Sequence, residues 1–318
     1  MNPKQKAQLF YQFSALLKTG IGVQQSLLLV GKESDRIGIF QRHNLQNCLK
    51  KASLRIGDGE SLGSALSKSC PFFDNWTISL LGIAEQSGFL QESCQLLAEE
   101  AEAEQKKQRI YRSISLNAIA ILWSILILIA AILIPNPYGV FKLEFWLRSL
   151  MIGIILLIAG LGLLRYLQYN SEPLRYIPGL NKLVEANSLL YLGKLRSPLA
   201  CGIPILTAIE LLRKHIPNRT MATKLGKIAR KMRLGQSITE SFQSEIPTIA
   251  LQMIRTGEET GNLDTAMQSI SQYYEQQLNY QLNFLKTSLR PINLLVFGGL
   301  VGLIGIRCVT FLMNSLPG

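Results

Sequence analysis

Apolar residues recur at helical spacing near both ends of the chain, as in Leu9, Phe13, Leu16 and Leu17 and again in Ile249, Met253 and Ile254. Residues three and four apart share one face of an α-helix, and β-branched alternation over strand lengths is absent, so the pattern predicts an all-α protein. Three stretches break the amphipathic rhythm by being apolar all round. The first, ISLNAIAILWSILILIAAILI at 114–134, has no charge and as a helix spans roughly 31 Å, about the thickness of a bilayer's hydrocarbon core. The second, 145–167, is interrupted by Arg148, whose long stem can carry its charge to an interface. The third, 291–313, opens PINLLVFGGLVGLIGI and carries Arg307 where a tilted helix reaches the far interface.

These runs divide the chain into polar and membrane segments. The pattern predicts an integral membrane protein with helical segments at 1–113 and 168–290, spans at 114–134, 145–167 and 291–313, a short loop at 135–144 and a tail at 314–318. Composition agrees: mean hydropathy is +0.20 with 17% charged residues, too apolar for an ordinary soluble chain. The net charge of +12 resides mostly outside the spans. Lys106, Lys107, Arg109 and Arg112 precede the first span, Arg165 and Arg175 follow the second, and Lys286 and Arg290 precede the third. The 135–144 loop has only Lys142 and Glu144, so the positive-inside tendency puts both large segments and the amino terminus in the cytoplasm and the loop and carboxyl end outside. Tyr138, Phe141, Phe145 and Trp146 suit the outer interface. The start of the chain has no secretory signal pattern, and five scattered cysteines, odd in number, predict free thiols in a reducing compartment.

The two cytoplasmic segments read as copies of one domain. LLKTGIGVQQSLLLV (16–30) aligns with SPLACGIPILTAIELL (197–212), pairing Gly20 with Gly202, which is followed by Pro204. GESLGSAL (59–66) aligns with GQSITESF (235–242), and GIAEQSGFL (82–90) with RTGEETGNL (255–263), pairing Glu85, Gly88 and Leu90 with Glu258, Gly261 and Leu263. The offsets of 182, 176 and 173 fall with chain order, as expected of duplicated bundles that diverge in their connections. The turn around Gly257, Glu258 and Glu259 has the polar density of an active site. A tight interhelical turn is the favoured reading over catalysis: Gly261 and Gly88 can take the left-handed conformation after one helix, Asn262 can cap the next, and Asp264 suits its first turn.

Other chemistry is sparse. No phosphate-binding G-x-x-x-x-G-K-[ST] occurs, and His43 and His215 lie in different copies without metal-ligand spacing. No catalytic, cofactor or metal site is expected. Residues 213–233 hold eight basic residues and no acid, with Lys224, Lys227, Arg230 and Lys231 in the run KLGKIARKMR. A solvated face, a contact with anionic lipid headgroups and a contact with an acidic protein patch all fit this run, whereas nucleic acid fits poorly because no binding module accompanies the charge. In the third span, Gly298 and Gly302 share small-x-x-x-small spacing with Gly305 nearby, which permits close helix contact.

The Gly-Ile-x-x helix start and Gly-Glu-x-x-Gly-x-Leu turn, each present twice around a hairpin of spans with one span following, resemble the inner-membrane platform proteins of type II secretion systems and type IV pilus machines. The resemblance covers essentially the whole chain and is tightest in CGIPILTAIELL and TGEETGNLDTAM; the first copy departs at Ala84 and Gly22, and the amino-terminal extension common in the family is nearly absent. It implies a non-enzymatic, homo-oligomeric scaffold in the bacterial inner membrane, with the loop and carboxyl end periplasmic. It also implies partners: a cytosolic hexameric ATPase, pilin or pseudopilin subunits, and other inner-membrane components of the machine. Two rival classes are a transporter or channel, for which the spans offer no midplane site beyond Asn117, and a membrane enzyme using Glu258 and Glu259.

Overall fold

The computed structural model describes residues 1–33, 42–133, 147, 150–155, 158–160, 162 and 181–315. Among them the regular structure is entirely helical. The first half runs α1 (Pro3–Lys18), α2 (Val23–Glu33), α3 (Arg42–Gly57), α4 (Leu62–Ser69), α5 (Asn75–Ser87) and α6 (Leu90–Leu133). After the region joining the halves come α7 (Asn181–Leu189), a 3-10 helix (Leu190–Leu195), α8 (Arg196–Ala200), α9 (Ile205–His215), α10 (Arg219–Arg233), α11 (Ile238–Phe242), α12 (Thr248–Thr260) and α13 (Leu263–Ser315).

Helix ends follow local chemistry. Asn2, Ser61, Asp74, Asn218 and Ser237 each accept a backbone N–H from the first turn that follows, replacing water on donors that have no partner within the helix. At Gly20, Gly59, Gly202 and Gly235 the next residue donates to the carbonyl five positions back while the glycine donates three back. That pair of bonds requires a left-handed residue, which glycine supplies without a Cβ clash.

The chain divides into two compact units, one of residues 1–106 with 185–276 and the other of 107–184 with 277–318. In the first unit α1 through α5 pack each on the next, around a core in which Phe10, Phe13, Leu27, Leu49, Leu62, Leu66, Leu80 and Leu81 are buried. The later half repeats this succession from the 3-10 helix to α12 and buries Leu192, Leu212, Leu225, Ile228, Phe242 and Ile254. Cys48 and Cys70 are joined as a disulfide, while Cys94, Cys201 and Cys308 are free. This corrects the expectation of five free thiols. The sequence separation of 22 between Cys48 and Cys70 carries no pairing signal; the packing of α3 on α4 brings the two together.

The start of α5 is held electrostatically. Lys6 Nζ lies 2.7 Å from Asp74 Oδ1 and donates to Thr77 Oγ1 at 2.7 Å. Burial raises the Asp74 carboxyl, but Lys6 and the Thr77 donors outweigh it and hold the pKa at about 2. A depressed carboxyl stabilises the fold above its unfolded pKa and loses that contribution as pH falls through the folded value. Asp74→Asn should therefore cost about 1 kcal/mol at pH 7, a figure discounted because the side chain is half exposed. The deficit should close between about pH 4 and pH 2, which urea midpoints measured across that range will check.

In the second unit, the helices bearing apolar runs are α6 and α13. Each is long and apolar enough to cross a membrane. Leu294, Leu295, Ile306 and Met313 on α13 are exposed. Pro291 lies within α13 without ending it. The expected second span is described in part, as an apolar helix over Leu150–Gly160. There a Cβ on Gly153 would come within 2.7 Å of the Trp123 ring, and one on Gly160 within 2.7 Å of Ile119. Residues 135–144, Arg148, 163–167 and the end of the tail lie outside the described residues.

Candidate functional site

The matched turns place a glutamate against the start of another helix. In the first half, Glu85 lies in the last turn of α5, and its Oε2 accepts the Leu62 N–H at 2.7 Å at the N-terminus of α4. In the second, Glu258 occupies the same place on α12. Its Oε1 accepts from Ile238 N–H at 2.9 Å, and its Oε2 from Thr239 N–H at 2.8 Å and the Thr239 hydroxyl at 2.5 Å. Ser237 and Glu240 complete that helix start as a reciprocal cap. A carboxylate at a helix N-terminus meets unpaired N–H groups and the positive end of the helix dipole.

The glycine after each glutamate turns the chain. Gly88 has φ 78° and Gly261 φ 74°, so α5 and α12 end in left-handed residues and α6 and α13 start two residues later. Leu90 is buried and Leu263 half-buried at those starts, and Asp264 lies in the first turn of α13. Among the described residues, the glycines with positive φ are Gly20, Gly59 and Gly88 in the first half and Gly202, Gly235 and Gly261 in the second. They form three pairs at the positions that the sequence repeat matches. Gly257 is buried, and Pro204 sets the entry to α9 in extended conformation.

Burial raises the Glu258 pKa, but its Thr239 and Ile238 donors prevail and leave it below the ordinary carboxylate value. Its stabilising contribution is present above that ordinary value and fades as pH falls below it. Glu258→Ala should lower stability by about 1–2 kcal/mol at pH 7, with the loss shrinking below about pH 4. Urea unfolding of the full chain at the two pH values would test this. Its neighbour Glu259 is exposed.

The basic residues lie on α10, whose opposite face buries Met221, Leu225, Ile228 and Ala229. Lys227 pairs with Glu245 at 3.7 Å, Lys231 donates to Ser244 at 2.6 Å, and Arg233 pairs with Glu210. Lys224 is half-buried and Arg230 exposed. On α13, a Cβ on Gly298, Gly302 or Gly305 would meet open space, while one on Gly299 would stand 3.5 Å from Leu128. Among the described residues, no group of three or more His, Cys, Asp or Glu could hold a metal ion.

A cluster that sequence reasoning missed joins the two halves. Trp76 on α5 is 3% exposed; its ring lies 6.4 Å from that of His215 and 5.9 Å from Lys194 Nζ. Lys194 pairs with Glu100 at 3.4 Å and Arg196 with Glu99 at 3.5 Å. Desolvation lowers the Lys194 pKa, and Glu100 and Asp74 more than restore it, so the ammonium is retained. No local motif marks these residues; opposite charges a hundred positions apart were the available signal.

The model of the family described as type II secretion system (T2SS), protein F, matches residues 9–134 and 191–307. The type IV pilus assembly protein PilC of Pseudomonas aeruginosa is 23% identical, over 95% of this chain and 87% of its own length. Type II secretion system protein F of the same organism is 20% identical, over 96% of this chain and 82% of its own length. The protein transport protein HofC homolog of Escherichia coli is 22% identical, over 93% and 80% respectively. With paired left-handed glycines and paired glutamate caps beneath a match of that extent, the chain belongs to the family of type II secretion protein F and type IV pilus assembly proteins.

Proposed function

We propose that this chain is the inner-membrane platform of a type IV pilus or type II secretion machine. In this reading, 1–113 and 168–290 are duplicated cytoplasmic domains, and 114–134, 145–167 and 291–313 are the spans, with the amino terminus cytoplasmic and the carboxyl end periplasmic. The platform docks a cytosolic assembly ATPase and passes its motion to pilin or pseudopilin subunits, performing no catalysis itself. The observation that carries the reading is the pairing of left-handed glycines and glutamate caps at repeat-matched positions, in a chain whose relatives are named for pilus assembly and type II secretion. The use of Glu85 and Glu258 as helix caps favours a scaffold over an enzyme. The continuity of α6 and α13 from polar into apolar sequence supports transmission of movement along them.

The test is retention of the assembly ATPase of the same cell by the tagged full chain, extracted from membranes in mild detergent, with and without nucleotide. The expected result is retention by the wild type and reduced retention by Lys224→Glu with Arg230→Glu. No retention in detergent and no in-membrane crosslink to the ATPase would defeat the reading. The open glycine face of α13 suits a neighbouring helix. Gly302→Leu should accordingly weaken assembly in crosslinking, and an unchanged crosslinking pattern would count against that contact.

A further inference from the structure

The halves of the compact unit meet through two different faces. The first half contributes α5 and the start of α6, with Trp76, Ser93 and Glu100; the second contributes the 3-10 helix, α8 and α9, with Lys194, Cys201 and His215. Ser93 Oγ lies 3.3 Å from Cys201 Sγ, and Cys201 and Ile203 join the hydrophobic core of the first half. Under the repeat register, Trp76, Ser93 and Glu100 correspond to Ile249, Ala266 and Tyr273, while Lys194 and Cys201 correspond to Gln12 and Thr19. Each half therefore owns both faces, and the internal contact uses one face of each. An interface of this heterologous kind leaves a complementary face at either end and propagates until it closes.

The unused faces are open at Ile249 and Thr19, while Ala266, at the position of Ser93, lies at the base of its face and is 7% exposed. Ile249 is 50% exposed where Trp76 is 3%, and Thr19 is exposed where Cys201 is buried. We propose that a second copy of this chain docks on them head to tail, with α12 and the start of α13 of one chain against the end of α1 and α2 of the next, repeating the internal packing. The proposal rests on the duplication invoked under the proposed function. The ion pair Glu100–Lys194 of the internal contact is replaced by Tyr273 and Gln12 at the outer one. Partner choice there falls to Ile249, Tyr273 and Leu29, so the outer contact should withstand salt.

Crosslinking of the full chain in membranes tests this. In a background with Cys94→Ser, Cys201→Ser and Cys308→Ser, chains carrying Thr19→Cys and differently tagged chains carrying Ala266→Cys are co-expressed and oxidised. The expected result is a mixed-tag covalent dimer, absent when either variant is expressed alone and lost on adding the exposed substitution Ile249→Arg. As an internal control, chains that retain Cys201 and carry Ser93→Cys should form that bond within one chain. An internal bond without a mixed dimer overturns the proposal, as do dimers from a single variant or a mixed dimer that Ile249→Arg leaves intact. Failure of the internal bond removes the template and overturns it too. ATPase retention scored on the same preparations separates the readings: its loss with the mixed dimer intact strikes the platform function and leaves the docking standing.

Discussion

Gly257→Ala is expected to destabilise the protein by about 2 kcal/mol and Gly257→Val by about 3 kcal/mol or more. A Cβ at Gly257 would stand 2.5 Å from Ala266 Cβ, 3.3 Å from the Asn262 carbonyl oxygen and 3.4 Å from Leu263 Cα. Two of those three atoms are backbone across the Gly261 turn, so rotamer changes cannot relieve the overlap. Either the end of α12 moves away from the start of α13 or the turn opens. Ala266→Gly removes the nearest obstacle, so a double-mutant cycle should show coupling of about 1–2 kcal/mol; additivity within roughly 0.5 kcal/mol would refute the steric account. The first half carries the fully buried Ala84 at the matched position, and its α5–α6 crossing thus holds a methyl group for which the α12–α13 crossing has no room.

Phe242→Ala should cost about 3–5 kcal/mol, the range for removing a buried ring from a packed core. Phe242 is 0% exposed and sits on α11, which has only five residues. So short a helix does not persist on its own hydrogen bonds. It is held by the Phe242 ring beneath, the Ser237 cap at its start and the Glu258 carboxylate alongside. Losing the ring therefore also loosens the donors that Glu258 accepts, and Phe242→Ala with Glu258→Ala should cost less than the sum of the two. Phe242→Leu should cost about 1.5 kcal/mol or less, because the first half fills the matched position with Leu66, 2% exposed. Urea midpoints of the full chain measure all of these, and an Ala variant as stable as Phe242→Leu would show that the ring is not the anchor.

The helical class, the apolar runs and the turn glycines were legible in the sequence because each is a local property. Helical spacing reports a face within a few residues, and Gly88 and Gly261 turn the chain through their own φ angles. The pairing of α11 with Glu258 was only half legible. Its residues stood out as a motif that favoured a tight turn over a catalytic centre, but the part played by the glutamate was not legible, since a carboxylate's role depends on the donors it meets. Those donors, Ile238 and Thr239, lie some twenty residues earlier in the chain.

What the sequence by itself determined is therefore what one helix or one turn can encode: where helices begin and end, which runs are apolar all round, and that the two halves carry the same signals in the same order. Tertiary structure alone decided which distant groups meet. It joined Cys48 to Cys70, brought Trp76 beside His215 and Lys194, and matched Glu100 and Glu99 of α6 to the basic side chains of Lys194 and Arg196. Such contacts depend on how whole helices pack, and side-chain periodicity specifies a face without specifying its partner.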